Sequence, residues 1–157
     1  MKVFLTTTLG AIGSVIAGVF GGWDASIITL LIFMFIDYIS GLICAGVFHK
    51  SKKTESGTLE SRAGFKGLLK KGMILVIVVI GNRLDIQLGT TYIRDGVCIA
   101  FITNELISIV ENAGLMGLPI PKVILNAIDV LKDKNAETKE TIQETITEKL
   151  TETNEDK

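Results

Sequence analysis

Residues 30–48 read LLIFMFIDYISGLICAGVF, an apolar stretch with one acid, Asp37, near its middle. No other residue between Asp24 and Lys50 carries a full charge. A helix needs about 20 apolar residues to cross the hydrocarbon core of a bilayer, and the run from Ala25 to Phe48 is long enough. The stretch predicts a membrane-spanning helix over about 26–48 and poses the question of how an acid is accommodated there.

An equally long uncharged run precedes it and predicts a first helix over about 3–22. The two runs are joined by Gly21-Gly22-Trp23-Asp24, a turn whose tryptophan suits the headgroup level of a membrane. A cleaved signal peptide is the alternative for the first run. It is disfavoured because the n-region has one lysine, no small-x-small cleavage site follows, and a second apolar run begins almost at once. The pair is interpreted as a transmembrane hairpin.

Two shorter apolar runs follow, over about 72–90 and 94–111, and charged residues lie within or beside both. They either span the membrane as a second hairpin or are partly re-entrant. We expect them to span, because this returns the charged C-terminus to the side of the basic loop. The predicted fold is an all-α membrane bundle of four transmembrane helices in two hairpins.

The chain of 157 residues is 48% hydrophobic, with a mean hydropathy of +0.47 and a formal net charge of -1. The charges are segregated: residues 49–71 contain seven basic residues and two acids, whereas residues 129–157 contain nine acids and five lysines. Such segregation indicates orientation in a membrane rather than nucleic-acid binding. The positive-inside rule places the basic loop, and with it both termini, in the cytoplasm.

The membrane domain is predicted to cover residues 1–131. After a Gly/Pro turn, Pro121 suits the first turn of a helix, and apolar residues at helical spacing predict a short amphipathic helix over 121–131. Residues 132–157 form a polar, acidic tail that we expect to be cytoplasmic and either weakly helical or disordered.

Acids inside a membrane are candidate functional residues, because a charged carboxylate at the bilayer centre costs about 2.5–3.5 kcal/mol. Asp37 either locks a helix pair as a hydrogen-bonded acid or faces water in an assembly. Glu105 poses the same question, whereas Glu111 is expected near the cytoplasmic end. The candidates for a polar or pore-lining face are Asp37, Asn104, Glu105, Ser108 and Glu111.

Small residues recur every four positions, which allows close helix packing in lipid. Their faces serve either in oligomerisation or in packing against a neighbouring helix of the same chain. These candidates are Gly10, Ser14, Gly18 and Gly22 on one stripe of the first helix, Gly13, Ala17 and Gly21 on a second, and Gly41 and Ala45 beside Asp37. In the basic segment, Lys66, Lys70 and Lys71 are expected at the membrane surface, where they either set the topology or attract anionic headgroups.

No pattern of catalytic chemistry is present in the sequence. His49 is the only histidine, and the chain lacks a phosphate-binding loop, a nucleophile elbow and a metal-ligand motif. We therefore expect no enzymatic activity, no cofactor, no metal and no small-molecule substrate.

Three stretches in order carry a family resemblance: IDYISGLICA at 36–45, SRAGFKGLLKKG at 61–72 and NELISIVENAGLMGLPIP at 104–121. With the spacing between them, they make residues 3–131 similar to the toxin-secretion/phage-lysis holins, from phages of Gram-positive bacteria and related clostridial toxin-export proteins. The tail lies outside this resemblance.

The resemblance implies a protein that accumulates in the bacterial cytoplasmic membrane, oligomerises and opens lesions that release an endolysin to the cell wall. Its implied partners are the bilayer, further copies of itself and, without direct contact, the endolysin or an exported toxin. A dedicated export pore without programmed lysis is one alternative. A small membrane scaffold that forms no pore is another.

Overall fold

The computed structural model describes the backbone of residues 2–155 and, within it, the side chains of residues 7–8, 10–11, 13–148 and 151. Residue 1 of the predicted membrane domain and residues 156–157 of the predicted tail lie outside the described residues. The described chain is all-helical, which confirms the predicted class. Its elements are α1 (Lys2–Phe20), α2 (Ala25–Gly46), α3 (Ser61–Leu88), α4 (Ile93–Leu115) and α5 (Lys122–Glu155).

Local sequence signals explain several of these bounds. Asp24 caps the start of α2 by accepting a hydrogen bond from the Ile27 N–H at 3.1 Å. Gly89 ends α3 in the left-handed conformation, at φ 67°, which glycine adopts without steric cost. Gly21 and Gly22 also have positive φ, and they reverse the chain between α1 and α2.

The core forms where α2, α3 and α4 meet. Helix α4 is central, because it packs against α2, α3 and α5, whereas α2 and α3 contact each other only sparsely. Helix α1 contacts α3 and leaves much of its own surface exposed. The buried core residues are Ile27, Leu30 and Met34 of α2, Val78 of α3, and Cys98 and Ile102 of α4.

The helices α1 to α4 run alternately up and down. At one end, the Arg94 side chain of α4 contacts the α1–α2 turn. At the other end, Lys52 of the α2–α3 loop lies 3.9 Å from Glu111 near the end of α4. The two predicted hairpin turns therefore lie at the same end of the bundle.

Two helix bounds differ substantially from the sequence expectation. Helix α3 begins at Ser61, so the second half of the basic segment is helical rather than loop. Helix α5 continues to Glu155, where the sequence had suggested an amphipathic helix ending near 131 and a weakly helical or disordered tail. The threonines at 138, 141, 145, 147 and 151 each donate a hydrogen bond to the carbonyl four residues earlier, which satisfies their hydroxyls within the helix.

Within the described residues, α2 is the one helix whose length and composition are sufficient to cross a membrane, with a mean hydropathy of 2.3. A single helix of this kind is weak evidence of a membrane protein when taken alone. The four-span arrangement remains a prediction.

The polar second half of α5 folds back along α4. Thr138 and Ile142 pack so closely on Gly96 that a Cβ there would overlap the threonine methyl. Further along, the Tyr92 and Thr145 hydroxyls are hydrogen-bonded. Thr145 of the predicted cytoplasmic tail thus contacts Tyr92, which the predicted topology places outside.

Candidate functional site: a buried lysine between two carboxylates

Asp37 is buried, with 5% of its surface exposed, because α3 and α4 both direct polar side chains at it. The Lys71 ammonium of α3 donates to Asp37 Oδ2 at 2.9 Å and to Glu105 Oε2 of α4 at 2.5 Å. Lys71 and Glu105 are themselves 9% and 6% exposed. One lysine therefore joins three helices through two carboxylates; we call Asp37, Lys71 and Glu105 the charged triad.

Further polar groups complete the coordination of Asp37. Asn112 of α4 donates to Asp37 Oδ1 at 3.1 Å and to the Ser40 hydroxyl at 2.9 Å. Ser108 lies beside the same carboxylate, and Lys53 reaches in from the α2–α3 loop to 3.8 Å from Oδ2. Among the described residues, no buried side-chain nitrogen or oxygen lacks a hydrogen-bond partner.

This arrangement accounts for an acid within the most apolar helix of the chain. Asp37 lies 12 residues after Ala25, and Glu105 lies 12 residues after Ile93, so both are about 18 Å along their helices. An isolated charge buried between helices is costly, whereas charges that are paired and hydrogen-bonded are tolerated. The triad carries one excess negative charge when all three groups are ionised, and Lys53 lies close enough to offset it.

The candidate polar residues separate into two groups in the structure. Asp37, Glu105 and Ser108 come together around Lys71. Asn104 is exposed, and Glu111 is exposed and pairs with Lys52. Glu105 and Ser108 share a face of α4 because they are three residues apart, which is about one helical turn.

Four residues of the site were not assigned to it from the sequence: Ser40, Lys53, Lys71 and Asn112. Asn112 lies seven residues after Glu105, on the same face, and this spacing was a usable signal. Lys71 departs from the expectation of a basic residue at the membrane surface. It lies seven residues before the buried Val78 and therefore faces the interior, where the two carboxylates bind it.

The small-residue positions also fall into two groups, those that contact other parts of the chain and those that face open space. A Cβ at Gly41 would be in ordinary contact with the Asn112 amide and the Lys53 ammonium, at 3.7 and 3.8 Å, and Ala45 is buried. At Gly21 an added Cβ would meet Asn82 and Arg94. On the stripes of α1, by contrast, a Cβ at Gly10, Gly13 or Gly18 would meet nothing within 4 Å, and Ser14 bonds only the Gly10 carbonyl at 3.0 Å.

A second polar cluster fastens the two hairpin turns together. The Arg94 guanidinium binds the Asp24 and Asp95 carboxylates and donates to the Phe20 and Gly21 carbonyls at 3.2 and 3.0 Å. Partial burial acts to raise the pKa of Asp24, but the Ile27 N–H and the Arg94 guanidinium outweigh it and lower that pKa below its usual value. The sequence does not predict this cluster, because Arg94 and the carbonyls that it binds are more than 70 residues apart along the chain.

Asp85 organises the neighbouring turn. Its carboxylate accepts the Ile93 and Arg94 N–H groups at 3.0 and 2.9 Å, which satisfies donors at the start of α4. Asn82, one turn earlier, donates to the Val19 carbonyl at 3.0 Å. Together these contacts fix the α3–α4 turn and the end of α1 at one end of the bundle.

The all-helical fold, the apolar α2 and the internal charges are typical of a small helical membrane protein. The sequence pattern of the bacteriophage holin family matches residues 14–133. The chain therefore belongs to the bacteriophage holin family.

Several bacterial and phage proteins are similar to this chain over most of its length. An uncharacterised protein of Listeria monocytogenes is 38% identical, covering 89% of this chain and 95% of its own length. One of Clostridium perfringens is 36% identical, covering 85% and 96%. A probable holin of Bacillus phage phi105 is 29% identical, covering 68% and 73%. No solved structure gives a significant match.

Proposed function

We propose that this protein is a holin that oligomerises in the bacterial cytoplasmic membrane and forms lesions, through which an endolysin reaches the cell wall. Family membership carries the proposal, and the similarity to a probable phage holin supports it. The protein acts collectively with further copies of itself, and its role is not enzymatic. The endolysin is a functional partner that passes through the lesion without a dedicated binding site.

In this proposal α1 to α4 all span the bilayer, with both termini in the cytoplasm. The alternating helix directions and the joined hairpin turns support this arrangement. Helix α3 is about 42 Å long, which exceeds the hydrocarbon thickness of about 30 Å. Its first turns, with Lys66 and Lys70, then extend to the cytoplasmic headgroups.

The charged triad suggests how a resting bundle becomes a lesion. In the resting protein, Lys71 satisfies Asp37 and Glu105 within one chain, so the charges are hidden from lipid. If α2, α3 and α4 separate during assembly, the same charges require water. A face carrying Asp37 or Glu105 is then stable only along an aqueous lumen, and this favours large lesions once assembly begins.

The free stripes of α1 are suited to the contacts between copies. In lipid, helices associate through close packing of small residues rather than through apolar burial. Gly10, Ser14 and Gly18 form a face that no described part of the chain covers. We propose that this face packs against a second copy.

The packing of α5 on α4 is also relevant to the change from a resting bundle to a lesion. Alongside a spanning α4, the charged face of α5 would lie at the depth of the hydrocarbon. That face includes Lys134, Glu137 and Glu140, all of which are exposed. It is tolerated there only next to water. We therefore propose that α5 leaves α4 in the resting membrane and returns to the observed position once α4 borders water in the assembled lesion. The observed chain then combines the closed triad of the resting state with the α5 contact of the assembled one.

The decisive experiment expresses the chain alone and then together with a cytoplasmic endolysin, while membrane potential and culture density are followed. We expect a sudden loss of potential at a defined time in both cultures, and lysis only in the presence of the endolysin. Replacing the endolysin with a large folded reporter separates a general lesion from an export pore. A gradual slowing of growth without depolarisation would contradict a holin and favour a membrane scaffold.

A further inference from the structure

A cavity of about 390 Å³ lies between α2, the α2–α3 loop and the first half of α3. It exists because small residues line the facing helices, which therefore cannot fill the space between them. These residues are Gly41 and Ala45 of α2, and Ala63, Gly64 and Gly67 of α3. Its volume is within the range of about 300–1,000 Å³ that is typical of small-molecule sites.

The cavity is amphiphilic. Leu42, Leu59 and Ile74 contribute apolar walls, whereas Lys53, Lys66 and Lys70 contribute ammonium groups. Most of the lining surface is apolar, so the positive charges are concentrated in a small part of it.

The free positive charge of the cavity comes from Lys66 and Lys70, because Lys53 offsets the excess negative charge of the charged triad. Lys71 also lines it but is bound to Asp37 and Glu105. Lys66 and Lys70 are ion-paired with no residue that the structure describes. Lys53 has only a distant contact with Asp37, at 3.8 Å. The remaining acid, Glu60, accepts a hydrogen bond from Ser56 and only partly offsets the lysines.

The position of the cavity suggests what fills it. It lies between the charged triad and the α2–α3 loop, at the level of the cytoplasmic headgroups if the helices span as proposed. Phe65, Leu68 and Leu69 are exposed on the same turns of α3, with 63%, 53% and 56% of their surfaces free. Lipid chains are the natural environment for such side chains beside basic residues.

We propose that this cavity binds the phosphate headgroup of an anionic phospholipid. Lys53, Lys66 and Lys70 contact the headgroup, and the glycerol and upper acyl chain lie along the wall formed by Leu42, Leu59 and Ile74. Basic cavities between transmembrane helices on the cytoplasmic side are suited to anionic headgroups. A free phosphate shares the charge but makes no use of the apolar wall. The inference depends on the proposed membrane embedding but not on lesion formation.

The test uses the full chain, purified in a mild detergent, with lipid adducts measured by native mass spectrometry. Phosphatidylglycerol is compared with phosphatidylcholine, and inorganic phosphate serves as a competitor. We expect selective retention of phosphatidylglycerol that millimolar phosphate does not displace. Equal retention of the two lipids would overturn the proposal. Displacement by phosphate would identify a free-anion site and also overturn it.

Two pairs of variants separate the cavity from general surface charge. Lys66→Gln/Lys70→Gln is expected to weaken phosphatidylglycerol retention about tenfold or more. The control Lys50→Gln/Lys52→Gln removes the same charge from the adjacent loop but outside the cavity lining, and it should retain the lipid. Equal losses in both double variants would contradict a defined site.

The second pair changes volume without changing charge. Gly67→Leu fills the cavity, and the structure has open space for its Cβ, so the fold should be kept. Gly72→Leu, on the same helix but outside the cavity lining, also has open space and is the control. We expect Gly67→Leu alone to lose lipid selectivity, and unchanged selectivity would overturn the proposal.

The lipid measurement and the lysis measurement test different proposals, so either proposal can be rejected without the other. Selective lipid retention by a chain that never depolarises cells would leave the site standing and reject the holin proposal. Abrupt depolarisation by a chain without lipid selectivity would do the reverse.

Discussion

At Asp37, the structure replaces an isolated intramembrane acid with a three-helix junction. Lys71 contacts both Asp37 and Glu105, and Asn112 occupies the remaining oxygen of Asp37. In such a group, each charge can be buried because the charges of its partners compensate it. Removing one leaves an uncompensated buried charge, whereas removing all the charges together often leaves stability unchanged or improves it.

The variant Lys71→Met should therefore destabilise the bundle by about 3–5 kcal/mol, because Asp37 and Glu105 would remain close together without their cation. Chemical unfolding in detergent, followed by helical circular dichroism, measures the effect. Lys70→Met removes the adjacent exposed lysine and is expected to lie close to the parent protein. Equal stabilities of the two variants would show that Lys71 does not hold the triad together.

A neutral triad separates a structural lock from a role in the lesion. Asp37→Asn/Lys71→Met/Glu105→Gln removes all three charges, so it should lose less stability than Lys71→Met, which leaves two carboxylates without their cation. If the charges favour an aqueous lumen, this variant should accumulate in the membrane but depolarise it late or never. Time-resolved membrane potential after induction is the measurement, with Glu111→Gln as the exposed control. Depolarisation on the normal schedule would leave the triad as a lock only.

At the scale of elements, α1 stands apart because its small-residue stripes do not pack on α2, its neighbour in the hairpin. Gly10, Gly13 and Gly18 face open space. Among the described residues, packing within the chain does not cover these three positions, and contact with another copy is the use that we propose for them.

Gly18→Leu is expected to leave the monomer folded, because a Cβ at this position meets nothing within 4 Å. It should reduce oligomers several-fold, because a bulky side chain prevents close helix approach. Crosslinking of intact membranes measures the oligomers. Ile16→Phe, which enlarges a side chain on the opposite face of α1, is the control. Unchanged oligomers in Gly18→Leu would remove α1 as the association face.

At the scale of the whole molecule, the main conflict is between α5 and the proposed topology. A helix with charges on its exposed face cannot share lipid with α4, yet Tyr92 and Thr145 are in contact. The conflict is resolved if the α4–α5 pair borders water in the assembled state and separates in the resting one.

The double variant Tyr92→Cys/Thr145→Cys tests this resolution. We expect little disulfide formation in resting membranes and a rise of at least several-fold when the membrane depolarises. Non-reducing electrophoresis of samples oxidised at intervals after induction measures the bond. Each single variant controls for pairing with Cys44 or Cys98, both of which are buried and unpaired. Complete crosslinking long before depolarisation would contradict the proposed movement of α5.

Much of the fold followed from local pattern. Long uncharged runs predicted α1 and α2, and turn residues such as Gly21 and Gly22 marked their junction. The resemblance to phage holins, carried by three short stretches, is confirmed by membership of the family. The four spans, the cytoplasmic termini and the roles of the candidate residues stay predictions.

The extents of α3 and α5 were harder to predict, because both begin or continue in charged sequence. Charge patterns are equally compatible with a solvated loop and with a helix whose polar face is solvated. Helix α5 also acquires part of its support from α4, through Gly96 and Tyr92, and a tertiary contact of this kind leaves no local pattern.

The sequence by itself determined that this chain is helical and apolar and that acids interrupt its apolar runs, because these properties depend on residue type and spacing. Only the tertiary structure decided which groups meet. From the sequence, Lys71 is one of several lysines expected at the membrane surface. It becomes the partner of Asp37 and Glu105 because α3 packs against α4 where these residues lie. Pairing between residues 34 positions apart on three helices depends on helix rotation and register. These are set by the packing of the whole core, and no single segment encodes them.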